Sequence, residues 1–166
     1  PKLVILDTMN FWMDTAWDDV VNTIKKVDVL TINDEEARQL SKEFSLRKAA
    51  KVILEMGPKY LIIKKGEHGA LLFHKDEVFF APALPLEEVF DPTGAGDTFA
   101  GGYAAYLAKT QDYSFENMKR ALIYGSAMAS FTVEKFGTER LAELTRDEIA
   151  DRVKTFKSLT HFEMKA

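Results

Sequence analysis

Along the chain, short continuous apolar runs alternate with longer stretches whose apolar residues recur at helical spacing, and this alternation sets the expected order of elements. Leu3–Asp7 is a continuous apolar run that closes on an acid, the pattern of a strand buried on both faces in a parallel sheet. Asp14 or Thr15 caps a helix whose apolar face is Trp17, Val20, Val21 and Ile24. Val27–Ile32 is a second strand, and Asn33 opens the next helix. Ser45 caps another, which carries Leu46, Ala49, Ala50, Ile53 and Met56 before Gly57-Pro58 stops it.

Tyr60–Lys64 forms a third apolar strand. Gly66-Glu-His-Gly69 turns the chain, Ala70–His74 returns, and Lys75-Asp-Glu77 turns it again into Val78–Pro82. Such hairpin-like connections predict an antiparallel edge. After the proline-rich stretch Ala81–Pro85 come a glycine-rich segment, a helix over Thr98–Lys109, and a long helix from about Phe115 to Val133 whose exit loop ends at Gly137. Thr145-Arg-Asp-Glu148 is a capping box that opens a last helix near Ile149–Phe156. The expected fold is α/β: one domain over residues 1–166, a three-layer α/β/α sandwich with a mostly parallel sheet and one antiparallel edge. Ligands of open sheets sit beyond the carboxyl ends of the strands, where Asp7, Asn33 and Gly66 fall.

Composition narrows the function classes. With 46% apolar residues, twelve Phe and two Trp, the chain is too hydrophobic for intrinsic disorder. A formal net charge of −4, with only short basic stretches such as Lys25-Lys26 and Lys64-Lys65, argues against a nucleic-acid partner and requires a local site for any bound phosphate. The absence of Cys excludes disulfide scaffolds, thiolate metal sites and Cys nucleophiles, and His68, His74 and His161 lack zinc-ligand spacing. No apolar run approaches the ~18 residues of a membrane span and no signal peptide precedes the first strand, so a cytoplasmic protein without a membrane partner is expected.

The chemistry concentrates in Thr93-Gly94-Ala95-Gly96-Asp97-Thr98. Two Gly and one Ala let backbone N–H groups approach an anion, and the following helix adds the positive end of its dipole. Charge that builds on a transferring phosphoryl group would meet donors already in place. Asp97, in the first turn, is placed to take a proton, and a weak base suffices because the hydroxyl proton leaves late in a loose transition state. A flexible turn followed by an ordinary first-turn acid would look the same from the glycines alone. No Lys-Ser/Thr follows the glycines, so this is not a Walker A loop, and it is not G-x-G-x-x-G either.

The whole string Asp91-Pro-Thr-Gly-Ala-Gly-Asp-Thr-Phe99, followed by Ala100-Gly-Gly102, closely resembles the C-terminal signature of the ribokinase/PfkB carbohydrate-kinase family. That resemblance implies transfer of the γ-phosphate of ATP to a hydroxyl of a sugar or nucleoside. Asp97 would be the base, and the backbone of Gly94, Ala95 and Gly96 the anion hole. Asn33-Asp-Glu-Glu36 has the capping-box spacing and also the family's Asn-x-x-Glu spacing near Mg²⁺, where side chains often act through water. Lys64-Lys65-Gly66-Glu67-His68-Gly69 is similar to the loop along the ATP phosphates, with Lys64 at the phosphate-near position. A plain hairpin turn is the other reading of its glycines, and His68 at the tip reads as solvent-exposed. Asp91, Thr93 and the loop up to Gly137 resemble positions that hold a monovalent cation such as K⁺, although Asp91 also suits a turn cap. The helix around Gly125, rich in Gly, Ala and Ser, would wall the adenine; small residues equally suit tight helix packing. Asn10 would approach the phosphates, with Phe11-Trp12 as core or interface.

The resemblance covers essentially this whole chain but only the C-terminal half of a typical member. Missing are the N-terminal Gly-Gly sugar-recognition motif, most of the acceptor pocket and the small lid. Leu3–Asp7 would then leave an open sheet edge that invites another chain, whether the missing N-terminal half or a second copy in a homodimer. The chain, which begins at Pro1, reads as a fragment of a kinase about twice as long, with little activity alone because it cannot position an acceptor. A nucleotide-binding or pseudokinase module acting through partners is the alternative; retention of Asp97 favours the kinase.

Overall fold

A computed structural model describes residues 1–164 of the 166-residue chain. The chain divides into two compact units. The first comprises Pro1–Gly66 with Ala70–Phe80, and the second Glu67–Gly69 with the chain from Ala81 onward.

The first unit is built on a sheet of β1 (Ile5–Asp7), β2 (Val29–Asn33), β3 (Tyr60–Lys64), β4 (Ala70–His74) and β5 (Glu77–Ala81), ordered as they occur in sequence. β1 and β2 pair in parallel with Leu6 opposite Leu30, and β2 and β3 in parallel with Thr31 opposite Ile62. β3 and β4 pair antiparallel, Ile62 opposite Leu72. The continuous runs of β2 and β3 are buried along almost their whole length, as strands covered on both faces must be. β1 has a single strand neighbour, so one of its sides is a sheet edge.

Helices α1 (Asn10–Thr15), α2 (Trp17–Ile24), α3 (Asp34–Ser41) and α4 (Leu46–Glu55) belong to this unit. Ile24, Leu40 and Ile53 from the helices pack with Leu30, Ile32, Leu61 and Ile63 of the strands in one apolar cluster. α1 is not anticipated by the apolar pattern, and it removes Asp14 and Thr15 from the capping role expected of them. The Thr15 hydroxyl donates to the Phe11 carbonyl (2.7 Å), the Asp14 carboxylate accepts from Gln39 Nε2 (2.7 Å), and Ala16 stands at the N-cap of α2. Phe11 and Trp12 are not core either. Both are about half exposed, stacked edge to face, while Met13 is the residue of α1 that turns inward. Ser45 sits at the N-cap of α4 but its side chain makes no capping bond.

The second unit is helical: α5 (Ala95–Thr110), α6 (Phe115–Thr132), α7 (Glu139–Ala142) and α8 (Arg146–Thr160). α5 begins three residues earlier than the sequence pattern suggests, and α8 runs four residues further. α5 and α6 approach closely through glycine: a Cβ on Gly102 would lie 2.8 Å from Met128 Cγ, and one on Gly125 would lie 2.8 Å from the Phe99 carbonyl oxygen. The buried Tyr103 hydroxyl donates to Met118 Sδ across the same interface (2.7 Å). Arg152 binds α8 to α6, donating to Ser130 Oγ (2.7 Å) and Glu134 Oε1 (2.6 Å) with its guanidinium 3.8 Å above the Phe131 ring. Arg140 closes the network by donating to Glu134 (2.8 Å) and Glu148 (2.6 Å). The Thr145–Glu148 capping box forms as expected.

Candidate functional site

In the second unit, the segment leading into α5 is held by its own polar groups. The Asp91 carboxylate accepts the backbone N–H of Thr93 (2.9 Å). Bonds from the Thr93 backbone and side chain, together with the Gly137 N–H, hold its carboxyl below the ordinary range. Asp91, Thr93 and Gly137, named together from sequence, are therefore neighbours in space. What converges on Asp91 there is a set of donors, so the contact orders the loop. The Phe90 N–H also donates to the Val133 carbonyl (2.9 Å), fastening the loop to the end of α6.

Gly94 is the N-cap of α5, in the left-handed region at φ +78°. No atom lies within 4 Å of where its Cβ would be, so glycine is required there by backbone conformation rather than by crowding. The Ala95 N–H is used internally, donating to the Pro92 carbonyl (3.2 Å), and the Thr98 N–H closes the first helical turn on the Gly94 carbonyl (2.9 Å). Between them, the N–H groups of Gly96 and Asp97 have no acceptor among the described residues. Two free donors at the positive end of a 16-residue helix suit an anion such as a phosphate. The Asp97 side chain is exposed beside them.

In the first unit, Asp7, Asn33 and Lys64 stand at the carboxyl ends of β1, β2 and β3. Asn33 and Glu36 form the reciprocal capping box: Asn33 Oδ1 accepts the Glu36 N–H (2.8 Å), and Glu36 Oε2 accepts the Asn33 N–H (2.7 Å). Only 3% of Glu36 is exposed. Burial pushes its carboxyl up, while the Asn33 N–H and the nearby Lys64 charge oppose that shift. A carboxylate so enclosed does not offer a direct metal ligand, and among the described residues no group of three or more acids or histidines could hold a metal ion. The donor set fits Mg²⁺ only as a water-separated neighbour, the habit of an ion that keeps most of its hydration.

Lys64 extends to Asp7 and places its ammonium 3.0 and 2.9 Å from the two carboxylate oxygens. The sequence places Asp7 at a ligand-facing strand end but gives it no role, because its partner lies 57 positions away. Lys65 is partly buried. Gly66-Glu67-His68 forms an exposed 3₁₀ turn, with His68 Nε2 3.8 Å from Glu67 Oε1 in solvent. Gly69 is different in kind: at φ +84°, a Cβ would lie 2.1 Å from the Ala81 carbonyl oxygen. Gly125 is buried against Phe99, the environment of a packing residue. Asn10 lies beside Glu36 at the start of α1: its backbone N–H helps hold the Glu36 carboxyl down, and its side-chain amide donates to Gln39 Oε1 (3.2 Å).

The chain belongs to the pfkB family of carbohydrate kinases, which matches residues 4–144. It is 37% identical over 84 residues to cytidine kinase of Thermococcus kodakarensis, a match that covers 49% of this chain and 30% of that protein. The ribokinase of Thermotoga maritima superposes with a TM-score of 0.73 at 31% identity, over 92% of this chain and 49% of that one. An E. coli protein assigned as a ribokinase II, in complex with ATP and Mg²⁺, gives a TM-score of 0.71 at 26% identity, over 92% and 47%. The chain thus spans about half the length of these solved relatives. The expected fold class, a ribokinase-like α/β sandwich, is the one they define. No helix of the described residues is long and apolar enough to cross a membrane.

Proposed function

We propose that this chain is the ATP-side, C-terminal half of a kinase that transfers the γ-phosphate of ATP to a hydroxyl of a sugar or nucleoside. The observation that carries the reading is the start of α5: Gly94 in the left-handed conformation, unpaired N–H groups on Gly96 and Asp97, and the exposed Asp97 carboxylate in the same turn. The similarity to ribokinase and cytidine kinase supports the two acceptor classes.

In this reading, the Gly96 and Asp97 N–H groups and the dipole of α5 bind phosphate oxygens and stabilise the charge that develops on the transferring group. Gly94 sets the backbone direction that exposes those donors, while Ala95 contributes through helix geometry, since its own N–H is engaged. The Asp97 carboxylate accepts the acceptor hydroxyl's proton as the new O–P bond forms. Lys64, with Lys65 and the Gly66–Gly69 turn, provides the phosphate-facing loop, and Glu36 with Asn33 acts on the metal side through water. Mg²⁺, which these two residues would hold through water, would neutralise phosphate charge when bound with ATP. Asp91, Thr93 and the loop to Gly137 are the candidate K⁺-binding segment, with carbonyl oxygens as ligands. The acceptor-binding residues belong to sequence beyond the matched half, which would also cover the free edge of β1; a homodimer across that edge is the competing arrangement.

The test is a coupled ADP-release assay of this chain, and of the longer protein containing it, against ribose, fructose-type sugars and nucleosides. Acceptor-dependent ADP release by the longer protein, with little from the 166-residue chain, is expected. ATP·Mg²⁺ binding by both with no acceptor-dependent release by either would instead mark a nucleotide-binding module without catalysis.

A further inference from the structure

Lys64 does not project freely from the end of β3. Its partner Asp7 lies at the end of β1, on the far side of β2, so the pair spans two strand spacings, about 10 Å of sheet. The lysine stem therefore lies along the carboxyl edge of the sheet, over the end of β2. Asp7 is itself held in place, its Oδ1 accepting the Thr8 N–H at 3.0 Å while also accepting from Lys64. The side chains of Lys64 and Asp7 are only 19% and 25% exposed, which sets this pair apart from solvent-washed surface bridges.

An ammonium has three N–H donors, and the two oxygens of Asp7 can engage two of them. The third remains for an oxygen outside the pair. If Lys64 instead swung away to a phosphate, it would leave the Asp7 carboxylate largely buried, unpaired, close to Glu36 and facing an incoming polyanion. Removing one partner of a largely buried pair is strongly unfavourable for that reason. A four-carbon stem otherwise loses rotamer freedom when it is fixed on a ligand. Here that ordering is complete before a ligand arrives.

We infer that Asp7 is a positioning residue for Lys64: the ion pair stays intact when nucleotide binds and presents the ammonium to the phosphates from a fixed place. The inference rests on the reading of Lys64 as a phosphate-binding group, and the experiment separates the two. ATP·Mg²⁺ is titrated calorimetrically into the chain and into its Lys64→Met, Asp7→Asn and doubly substituted variants, with thermal unfolding of each measured alongside. Lys64→Met is expected to weaken binding roughly tenfold, the range for a hydrogen bond to a charged group. Asp7→Asn should weaken it several-fold, and the double variant should bind no more weakly than Lys64→Met alone. A purely structural ion pair would lower the unfolding temperature of both single variants and leave affinity unchanged. Weak binding by Lys64→Met with wild-type or tighter binding by Asp7→Asn overturns the positioning role and leaves the reading of Lys64 standing. Wild-type affinity of Lys64→Met removes both. Should Asp7→Asn fail to fold, the hydrogen-bond scalar coupling between Lys64 Nζ and Asp7 Cγ decides in the unsubstituted chain: it persists with ATP·Mg²⁺ bound if Asp7 positions Lys64, and its disappearance overturns the inference.

Discussion

Gly125 and Phe99 meet where α6 packs on α5, and a Cβ at Gly125 would stand 2.8 Å from the Phe99 carbonyl oxygen and 3.4 Å from its ring. Backbone on both sides cannot yield as a flexible side-chain tip would. Gly125→Ala is therefore expected to destabilise the chain by roughly 1–3 kcal/mol, the range for forcing a methyl group into a packed interface. Urea unfolding measures this. ADP affinity of the folded variant is expected to stay within about twofold, a factor worth under about 0.5 kcal/mol. A variant of normal stability that has lost ADP would mean that Gly125 borders the nucleotide instead.

Gly69 and Gly94 share a positive φ but not an environment. Alanine at Gly69 would bring its Cβ to 2.1 Å from the Ala81 carbonyl oxygen, on a backbone at φ +84°. Alanine at Gly94, at φ +78°, would meet no atom within 4 Å. Gly94→Ala should then cost about 1–2 kcal/mol, the left-handed penalty alone. Gly69→Ala adds overpacking and should cost roughly 3 kcal/mol or more. Equal urea midpoints for the two variants would contradict the geometry.

Asp97 has no side-chain partner among the described residues and caps nothing, so its replacement should spare the fold. Asp97→Asn in the longer protein is expected to keep ADP affinity and thermal stability near those of the wild type, and to lower turnover by at least ~10²-fold, the usual contribution of a general base. Steady-state kinetics with a saturating acceptor reads this directly. Unchanged turnover would remove Asp97 from the reaction.

Glu148 carries a specific pH dependence. Hydrogen bonds from the Thr145 hydroxyl, from Arg140 and from the Thr145 N–H bring its carboxyl down from 4.5 to about 2. Because the folded value lies below the unfolded one, the associated stability is fully present above pH 4.5 and is lost as pH falls toward 2. Glu148→Gln removes that titration. The drop in urea midpoint between pH 7 and pH 3 should thus be smaller in the variant than in the wild type. An equal drop in both would show that the pair network does not bias folding.

Local features were the most legible in the sequence. β3 and β4 fall where the apolar runs place them, and the Asn33–Glu36 and Thr145–Glu148 boxes form because each joins groups three residues apart within one helical turn. The glycine-rich string marked the head of α5, though its helix starts at Ala95 and spends the Ala95 N–H on Pro92. α1 escaped because six residues whose largest apolar side chains face solvent carry no amphipathic signal.

Residue order alone therefore placed the strands to within two residues and settled the two capping boxes and the kinase-family signature, and it named Asp97 as the candidate base; all of these depend on neighbours within a few positions. Tertiary structure decided the rest. It set Asp7 against Lys64 across β2, the burial of Glu36, the donors gathered on Asp91, the seat of Gly125 on Phe99, and the clasp of Arg152 and Arg140 on Glu134. The division has a physical origin. A cap or a strand is stabilised by bonds whose partners the chain brings together automatically. An ion pair 57 residues apart, or a helix crossing, exists only once the sheet register and the helix faces are fixed by burial of the apolar core.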